Sequence, residues 1–313
     1  MEGNYTKDFL SANSCDNGAI SFTVGENDDG KLLKVFLKIT CGVSTRTFTK
    51  LKKIPLGITR KGQLIKADEK VFAGDEIVLK QVSEDNNIIP VKGSLDIVYE
   101  DSHIIIINKP ASTPVHPTKI HQGNTLANFL RYYSLEKGED YTFRAVNRLD
   151  KDTSGLVLIA KDRHSAGILQ KQDIYKEYIA VCNGITPEKG TIDKPIKKSE
   201  NSTMLRIISD DGDRAVTHFE RMDCFDNSSL VKLWLETGRT HQIRCHMSSI
   251  GHPLEGDDLY GGSLEKIERQ ALHCAKMKFF HPIDGKVMEL CCDIPEDMKK
   301  IINTMNLYEI NIE

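Results

Sequence analysis

Short runs of Val, Ile and Leu, bounded by Gly, Asp or Pro, recur along the chain from about residue 95 onwards. Such runs predict β-strands, because β-branched residues favour extended backbone and the bounding residues favour turns. Two intervening stretches, 124–135 and 163–172, have the character of helices. The predicted strands lie at 97–98, 104–107, 156–160, 178–181, 230–235 and 288–291.

These strands and helices do not alternate one for one, as a doubly wound parallel sheet would require. We therefore predict an α+β fold for residues 95–313, with a mixed, mainly antiparallel sheet flanked by helices. The polar segment 81–94, which contains Pro90 and Gly93, predicts a linker. Before it we expect a small α/β domain over residues 30–80, preceded by an N-terminal extension over residues 1–29.

The small domain is predicted to contain a helix over 45–53. Ser44 can cap this helix, and Phe48 and Leu51 are spaced to share one buried side. Residues 58–65 predict a hairpin that turns at Lys61–Gly62. Residues 71–79 predict a turn at Gly74–Asp75 followed by a further strand.

The segment 44–66 concentrates positive charge in a chain whose formal net charge is −3. It contains no Asp or Glu, so its local field differs from that of the whole protein. A solvated helix face and a surface for RNA phosphates both explain such a cluster. The basic residues are Arg46, Lys50, Lys52, Lys53, Arg60, Lys61 and Lys66.

Residues 30–80 resemble the S-four RNA-binding domain, which is named after a small-subunit ribosomal protein. The resemblance rests on Gly30-Lys-Leu-Leu33 as a helix start and, more closely, on Ala73-Gly74-Asp75 as a strand entry. It implies that the basic segment contacts RNA.

Composition narrows the class of protein. The chain has 313 residues, of which 39 % are hydrophobic and 28 % are charged, as expected of a folded chain with one or two domains. We expect no membrane span and no secretory signal, since long apolar runs are missing. Eight irregularly placed cysteines do not suggest a disulfide framework, so we expect a reducing cytoplasm. The glycine motifs of dinucleotide-binding and P-loop proteins are also missing from the sequence.

Three stretches could carry chemistry. The first, NRLDKDTSGLVLIAK over 147–161, places a polar loop before an apolar strand, where Asp150 could act chemically or merely cap backbone amides. The second, TGRTHQIRCH over 237–246, alternates polar groups in a way that fits no simple helix face. Its His and Cys residues invite a metal site, but their spacing matches no usual zinc pattern. The third, KEYIAV over 176–181, carries Tyr178, which could equally be an ordinary strand aromatic.

Together these stretches resemble the RluA-type family of pseudouridine synthases over about residues 95–298. They correspond to its catalytic loop, its tyrosine motif and its arginine motif, which GHPLEGDDLYGG over 251–262 follows. Further landmarks are Val115-His116-Pro117, Leu272-His273-Cys274 and Phe280-His281-Pro282. One residue departs from the pattern, because Asn147 stands where the family usually has His.

The resemblance assigns roles to individual residues. Asp150 becomes the catalytic carboxylate, either as nucleophile or as partner to a cationic sugar, and Arg244 pairs with it. Tyr178 stacks on the target base and could also help with the final proton transfer, and Arg148 enters the RNA or contacts its phosphate. One carboxylate suffices because the uracil is rejoined to the sugar and no water has to be activated, in contrast to glycoside hydrolysis. We expect neither a metal nor an organic cofactor.

The expected activity is therefore isomerisation of uridine to pseudouridine in RNA by a monomer. The accessory domain favours large-subunit (23S) ribosomal RNA, or its precursor, as the substrate. A tRNA-modifying enzyme of the same family remains an alternative. A catalytically silent RNA-binding or ribosome-assembly protein is the other, although it would not need Asp150, Tyr178 and Arg244 together.

Overall fold

A computed structural model of the chain describes residues 13–14, 19–80, 88–118, 121–202, 204–225 and 227–304. The strands are β1 Asn13–Ser14, β2 Ile20–Thr23, β3 Ile58–Arg60, β4 Gln63–Leu64, β5 Glu76–Leu79, β6 Ile97–Glu100, β7 Ile104–Lys109, β8 Arg144–Ala145, β9 Ser154–Ala160, β10 Tyr175–Asn183, β11 Lys189–Asp193, β12 Ile196–Lys198, β13 Arg206–Ile208, β14 Val216–Phe225, β15 Ser228–Leu235, β16 Leu272–Phe280 and β17 Val287–Cys291. The α-helices are α1 Leu33–Val35, α2 Thr45–Leu51, α3 Leu126–Glu136, α4 Arg163–Leu169, α5 Gln242–Ser249 and α6 Glu296–Thr304. Short 3₁₀ turns at Glu26–Asp28 and Asp258–Tyr260 and a π turn at Phe36–Thr40 complete the set.

Two compact units divide the chain. The first contains the chain up to Asn87 together with Asp162–Lys171 and Pro282–Gly285, and the second contains the remainder. The break after Asn87 falls inside the predicted linker 81–94, of which 81–87 lie outside the described residues. Helix α4 groups with the first unit, although we expected the whole of 95–313 to form one domain. The extension 1–29 is described for 13–14 and from residue 19 onwards.

The first unit contains a five-stranded sheet in the order β1-β2-β5-β3-β4. Helix α2 begins as predicted, because the Ser44 hydroxyl accepts a hydrogen bond from the Thr47 amide at 3.1 Å. Phe48 and Leu51 are buried in the core of this unit, and the hairpin turns at Lys61–Gly62. Helix α2 ends at Leu51, two residues earlier than the pattern indicated.

The second unit contains a ten-stranded sheet in the order β11-β14-β15-β10-β16-β9-β7-β6, with β17 paired to β16 and β8 to β9. Strand β9 pairs in parallel with β16, through Ser154 with His273 and Gly155 with Cys274. The other pairings of this sheet within the described residues are antiparallel. The mixed, mainly antiparallel α+β fold is therefore confirmed.

Helix α6 covers one face of the large sheet. Its Met298 and Ile301 share a buried cluster with Ile179 and Val181 of β10. Because neighbouring side chains of a strand point to opposite faces, Tyr178 lies on the other face. This second face carries the cleft described below. Among the described residues, no helix has the length and apolar character to cross a bilayer.

Candidate active site

A cleft opens on the face of the large sheet that carries Tyr178, with about 370 Å³ of space when the open solvent at its mouth is included. The strands contribute an aromatic and apolar wall, and the loop before β9 and helix α5 contribute charged side chains. The lining residues are Arg148, Leu149, Asp150, Thr153, Tyr178, Leu235, Arg239, His241, Gln242, Ile243, Arg244 and Leu272.

Two buried basic side chains, Lys109 and Arg269, hold the loop that carries Asp150 by hydrogen bonds to its backbone. The Lys109 ammonium is fully buried and donates hydrogen bonds to the carbonyl oxygens of Pro110, Thr113 and Lys151 at 2.8–2.9 Å. The Arg269 guanidinium donates to the carbonyl of Asp152 at 3.1 Å. The backbone on the C-terminal side of Asp150 is therefore fixed before any substrate arrives. Sequence reasoning did not single out Lys109 or Arg269.

Where this loop joins β9, side chains of Ser154, His273 and Cys292 contact one another. The Ser154 hydroxyl lies 2.9 Å from Nδ1 of the buried His273, and Nε2 of that ring lies 3.3 Å from the Cys292 thiol. Gly155 has a φ of 111°, and the backbone of Cys274 passes so close that a Cβ at this position would clash with it. The parallel pairing of β9 with β16 thus sets where the loop ends.

Asp150 meets Arg244 at the edge of the cleft. Nη1 of Arg244 lies 3.2 Å from Oδ2 of Asp150, and this carboxylate is about a quarter exposed, at 26 %. The opposite side of the guanidinium binds the buried Asp257, with Nε 2.6 Å from Oδ2 and Nη2 2.8 Å from Oδ1. The pairing predicted for Asp150 and Arg244 is present in the geometry. In the sequence, Asp257 lies in the stretch GHPLEGDDLYGG over 251–262, to which the sequence pattern gave no chemical role.

The Asp257 contact keeps the Arg244 guanidinium charged inside the protein. Burial by itself lowers the pKa of Arg244, but the hydrogen bonds with Asp257 and the charges of Asp257 and Asp150 outweigh it and raise the pKa above its usual range. The Tyr260 ring adds a cation–π contact, with its centroid 5.0 Å from Cζ of Arg244.

Arg244 belongs to helix α5, which the sequence pattern did not indicate. The helix was obscured because Gln242 and His246 are polar yet buried. They lie one turn apart and anchor the helix to β14: Nε2 of Gln242 donates to the Val216 carbonyl at 2.9 Å, and Nδ1 of His246 lies 2.9 Å from the Thr217 hydroxyl. Arg244, between them in sequence, is turned away from that face and reaches the cleft.

Tyr178 lies in the cleft wall and is 6 % exposed, so it is more deeply placed than an ordinary half-buried strand residue. Burial, followed by the neighbouring Cys274 and Asp150, raises the pKa of its phenol well above the usual value. The side chain is therefore a neutral phenol at ordinary pH.

Asn147 and Arg148, which precede Asp150 in the same motif, differ in their surroundings: Asn147 bonds to a neighbouring strand and Arg148 is exposed. The Asn147 amide bridges to β9, with Nδ2 donating to the Leu156 carbonyl at 3.1 Å and Oδ1 accepting from the Leu158 amide at 2.8 Å. Asn147 thus has a backbone-binding role in place of the family's usual His. Arg148 is exposed at the cleft.

The basic residues of the first unit differ in exposure. Four of them are exposed, namely Lys50, Lys52, Lys53 and Lys61. The Arg60 guanidinium is partly buried and pairs with Asp75 at 3.0 Å within the unit. The side chain of Arg46 lies outside the described part of the structure. Their contact with RNA stays a prediction.

A metal site was the other chemical reading of the arginine motif. Within the described residues, no group of three or more His, Cys, Asp or Glu side chains is arranged to hold a metal ion. His246 uses both ring nitrogens on protein partners, the Thr217 hydroxyl and the Lys194 carbonyl.

Comparison with known proteins identifies the class. Residues 103–249 match the family described as RNA pseudouridylate synthase. An uncharacterized RNA pseudouridine synthase of Bacillus subtilis, YhcT, is 39 % identical over 91 % of this chain and 97 % of its own. The ribosomal large subunit pseudouridine synthase D of Escherichia coli K12 is 39 % identical over 77 % of this chain and 79 % of its own.

A solved structure agrees in fold. Human RNA pseudouridylate synthase domain containing 4 superimposes with a TM-score of 0.56 at 23 % identity, over 69 % of this chain and 94 % of that one. The fold and the family match define an RNA-modifying isomerase. This chain belongs to the RNA pseudouridine synthase family, and the resemblance to the RluA-type members is confirmed.

Proposed function

We propose that the enzyme isomerises uridine in large-subunit ribosomal RNA, with Asp150 as its catalytic carboxylate. The observation that carries this assignment is the placement of Asp150 in the cleft, 3.2 Å from Arg244 and partly open to solvent. The second carboxylate that binds Arg244, that of Asp257, is fully buried behind the guanidinium. Asp150 is therefore the carboxylate that a nucleotide in the cleft can reach.

The proposed reaction breaks the bond between C1′ of the ribose and N1 of uracil. The Asp150 carboxylate stabilises C1′, covalently or by its charge, while the uracil turns in the cleft. A bond then forms between C1′ and C5, C5 loses its proton and N1 gains one, so that atoms balance without water. Since the uracil never leaves, the cleft has to hold it throughout.

The cleft wall suits a base that has left its stack. The Tyr178 ring, Leu235 and Leu272 offer apolar surface on which a flipped uracil can pack. A neutral phenol donates a hydrogen bond but is a poor proton acceptor, so we assign Tyr178 to packing the base. Arg148 is exposed at the same cleft, and we propose that it contacts the RNA around the flipped nucleotide.

Ribosomal RNA is proposed as the substrate on the strength of the relatives whose name states the ribosomal large subunit. The first unit is proposed as an accessory RNA-binding domain, with Lys50, Lys52, Lys53 and Lys61 as phosphate contacts. We further propose a monomer that works in the cytoplasm. The described cysteines are all free thiols, which agrees with a reducing compartment.

Release of tritium from uracil labelled at C5 tests the assignment, because that hydrogen leaves when the new carbon–carbon bond forms. Wild-type enzyme is expected to release label from a 23S rRNA transcript, and Asp150→Asn to release none in a single turnover. Asp258→Asn, which changes an exposed carboxylate that does not line the cleft, is the matched control. Full turnover by Asp150→Asn would show that another residue does the chemistry.

The substrate is tested separately. Pseudouridines are mapped in 23S rRNA and in tRNA from cells with and without the gene, and purified enzyme is then added to the RNA that lacks the modification. Loss of a modified site in 23S rRNA is expected. Loss confined to tRNA would contradict the ribosomal assignment and leave the role of Asp150 untouched.

A further inference from the structure

His241 has a backbone conformation that few non-glycine residues adopt. Its φ of 55° and ψ of 21° lie in the left-handed region, at the residue that precedes α5. Strained backbone of this kind persists where its surroundings fix it, often at functional sites. The His241 side chain makes no capping hydrogen bond with α5. Its ring instead lines the cleft beside Asp150.

The hydrogen bonds of Tyr260 define which ring nitrogen of His241 carries the proton. Oη of Tyr260 accepts from the Arg206 backbone amide at 2.9 Å and lies 3.2 Å from Nδ1 of His241. The phenol is largely buried, and burial outweighs the opposing Arg206 amide and Arg244 charge and raises the pKa of Tyr260 to about 12, so it keeps its hydrogen. A buried hydroxyl hydrogen needs an acceptor, and the Arg206 amide can only donate. The hydrogen therefore points to Nδ1, and the His241 proton resides on Nε2.

Nε2 of His241 faces the proposed catalytic carboxylate. It lies 3.7 Å from Oδ2 of Asp150, the same oxygen that Arg244 approaches at 3.2 Å. Burial lowers the pKa of His241; the charges of Asp150 and Asp257 oppose this, and those of Arg244 and Arg206 reinforce it. The ring is thus a neutral N–H donor at ordinary pH.

We propose that His241 is a positioning residue, which rests on the role proposed above for Asp150. Its Nε2–H and the Arg244 guanidinium form a two-donor clamp on Oδ2 of Asp150, and Tyr260 sets the tautomer that makes the clamp possible. A separation of 3.7 Å is longer than a hydrogen bond, and catalytic contacts that are long in the free enzyme often shorten when substrate binds. The clamp holds the carboxylate towards C1′ of the bound nucleotide.

The tautomer is measured directly by ¹⁵N NMR on the full chain labelled at histidine, with the His241 signal assigned by its loss in His241→Gln. The expected spectrum has an unprotonated Nδ1 and a protonated Nε2. In Tyr260→Phe, the two tautomers should become mixed. A wild-type Nδ1 that carries the proton would overturn the proposal without reference to activity.

Kinetics test the clamp. Both His241→Leu and His241→Gln meet the same backbone strain, but Gln keeps an N–H that can reach towards Asp150. His241→Leu is expected to lose roughly ten- to a hundredfold in kcat, the worth of a hydrogen bond to a charged group, with KM within about twofold. His241→Gln should recover most of the loss. Equal rates for the two variants, or a change confined to KM, would refute the clamp.

A double-mutant cycle separates the clamp from general loosening of the site. If Tyr260 acts through His241, Tyr260→Phe should lower kcat in wild type and have little further effect in His241→Leu. Additive losses would mean that Tyr260 acts independently. Asp150→Asn distinguishes failure of the clamp from failure of the proposed function. Full activity of Asp150→Asn would contradict the catalytic role of Asp150. An inactive Asp150→Asn together with a fully active His241→Leu would contradict the clamp alone.

Discussion

Arg244 binds the carboxylate of Asp257 through two nitrogens, with Nε 2.6 Å from Oδ2 and Nη2 2.8 Å from Oδ1. The Asp257 side chain has no exposed surface, and that of Arg244 is 9 % exposed. A cation buried to this degree depends on its partner, because removing one member of a buried pair leaves the other uncompensated. The pair therefore underlies both the stability of the site and the direction in which Arg244 faces Asp150.

Asp257→Asn is expected to lower the free energy of unfolding by about 3–5 kcal/mol, the usual cost of breaking a buried ion pair. The kcat should fall as well, since Arg244 loses the contact that orients it. Urea unfolding and tritium release measure the two effects. Asp258→Asn changes an exposed carboxylate next in sequence and should leave both unchanged. Wild-type stability in Asp257→Asn would contradict the role of this pair.

Gly155→Ala tests the close approach of β9 to β16. The added Cβ would lie 2.3 Å from the carbonyl oxygen and 2.5 Å from the amide nitrogen of Cys274, at a φ that disfavours alanine. We expect a loss of about 2 kcal/mol or more in the free energy of unfolding, and a lower kcat because the Asp150 loop moves with the strand. Gly238→Ala is the control, since its Cβ would meet none of the described atoms within 4 Å. Equal stability of the two variants would show that β9 can move aside freely.

His273 predicts how stability depends on pH. Burial lowers its pKa to about 4, helped by the charge of Arg269, whereas the unfolded chain keeps a value of about 6.5. Between these two pH values the unfolded state binds more protons, so the free energy of unfolding falls as the pH falls. The contribution of His273 to the slope approaches about 1.4 kcal/mol per pH unit.

Urea unfolding of wild type and His273→Gln from pH 7 to pH 4.5 isolates this contribution. Groups that titrate in both proteins cancel in the difference. The gap in stability should narrow as the pH falls, because the imidazole of wild type must release a proton on folding and the variant has no such proton to lose. Curves that stay parallel would contradict the buried neutral state of His273.

The basic surface of the first unit predicts a salt dependence. Replacing Lys50, Lys52 and Lys53 by Gln should weaken binding to 23S rRNA and make the plot of log affinity against log salt less steep, by up to about 0.7–0.9 per lost phosphate contact. A triple variant at the exposed Lys92, Lys189 and Lys300, outside the first unit, removes the same charge and should change the slope less. Equal slopes for all three proteins would remove the RNA-binding role from this segment.

Helices, turns and strands whose formation depends on residues close together in the sequence were predicted from local patterns. Ser44, the turn at Lys61–Gly62 and the runs of branched residues act over a few positions, and each of the corresponding elements is present. Motif resemblance extended this to a contact between Asp150 and Arg244, 94 residues apart. The roles of these two residues remain predictions.

The missed features depend on tertiary burial. Helix α5 was hidden because Gln242 and His246 are buried through hydrogen bonds to β14, so that the hydrophobic pattern of an amphipathic helix is lost. Lys109 and Asp257 gave no signal because a buried charge resembles a solvated one in sequence. Tyr260 stands out once its hydroxyl is found between the Arg206 amide and His241.

The contact between Ser154 and His273 joins positions 119 residues apart. Closing so long a loop is entropically costly, and contacts at this separation tend to slow folding. The Asp150 loop gains this support only when β16 has docked beside β9. In refolding from denaturant, catalytic competence should accordingly appear with the slow, global phase, after the local helices have formed.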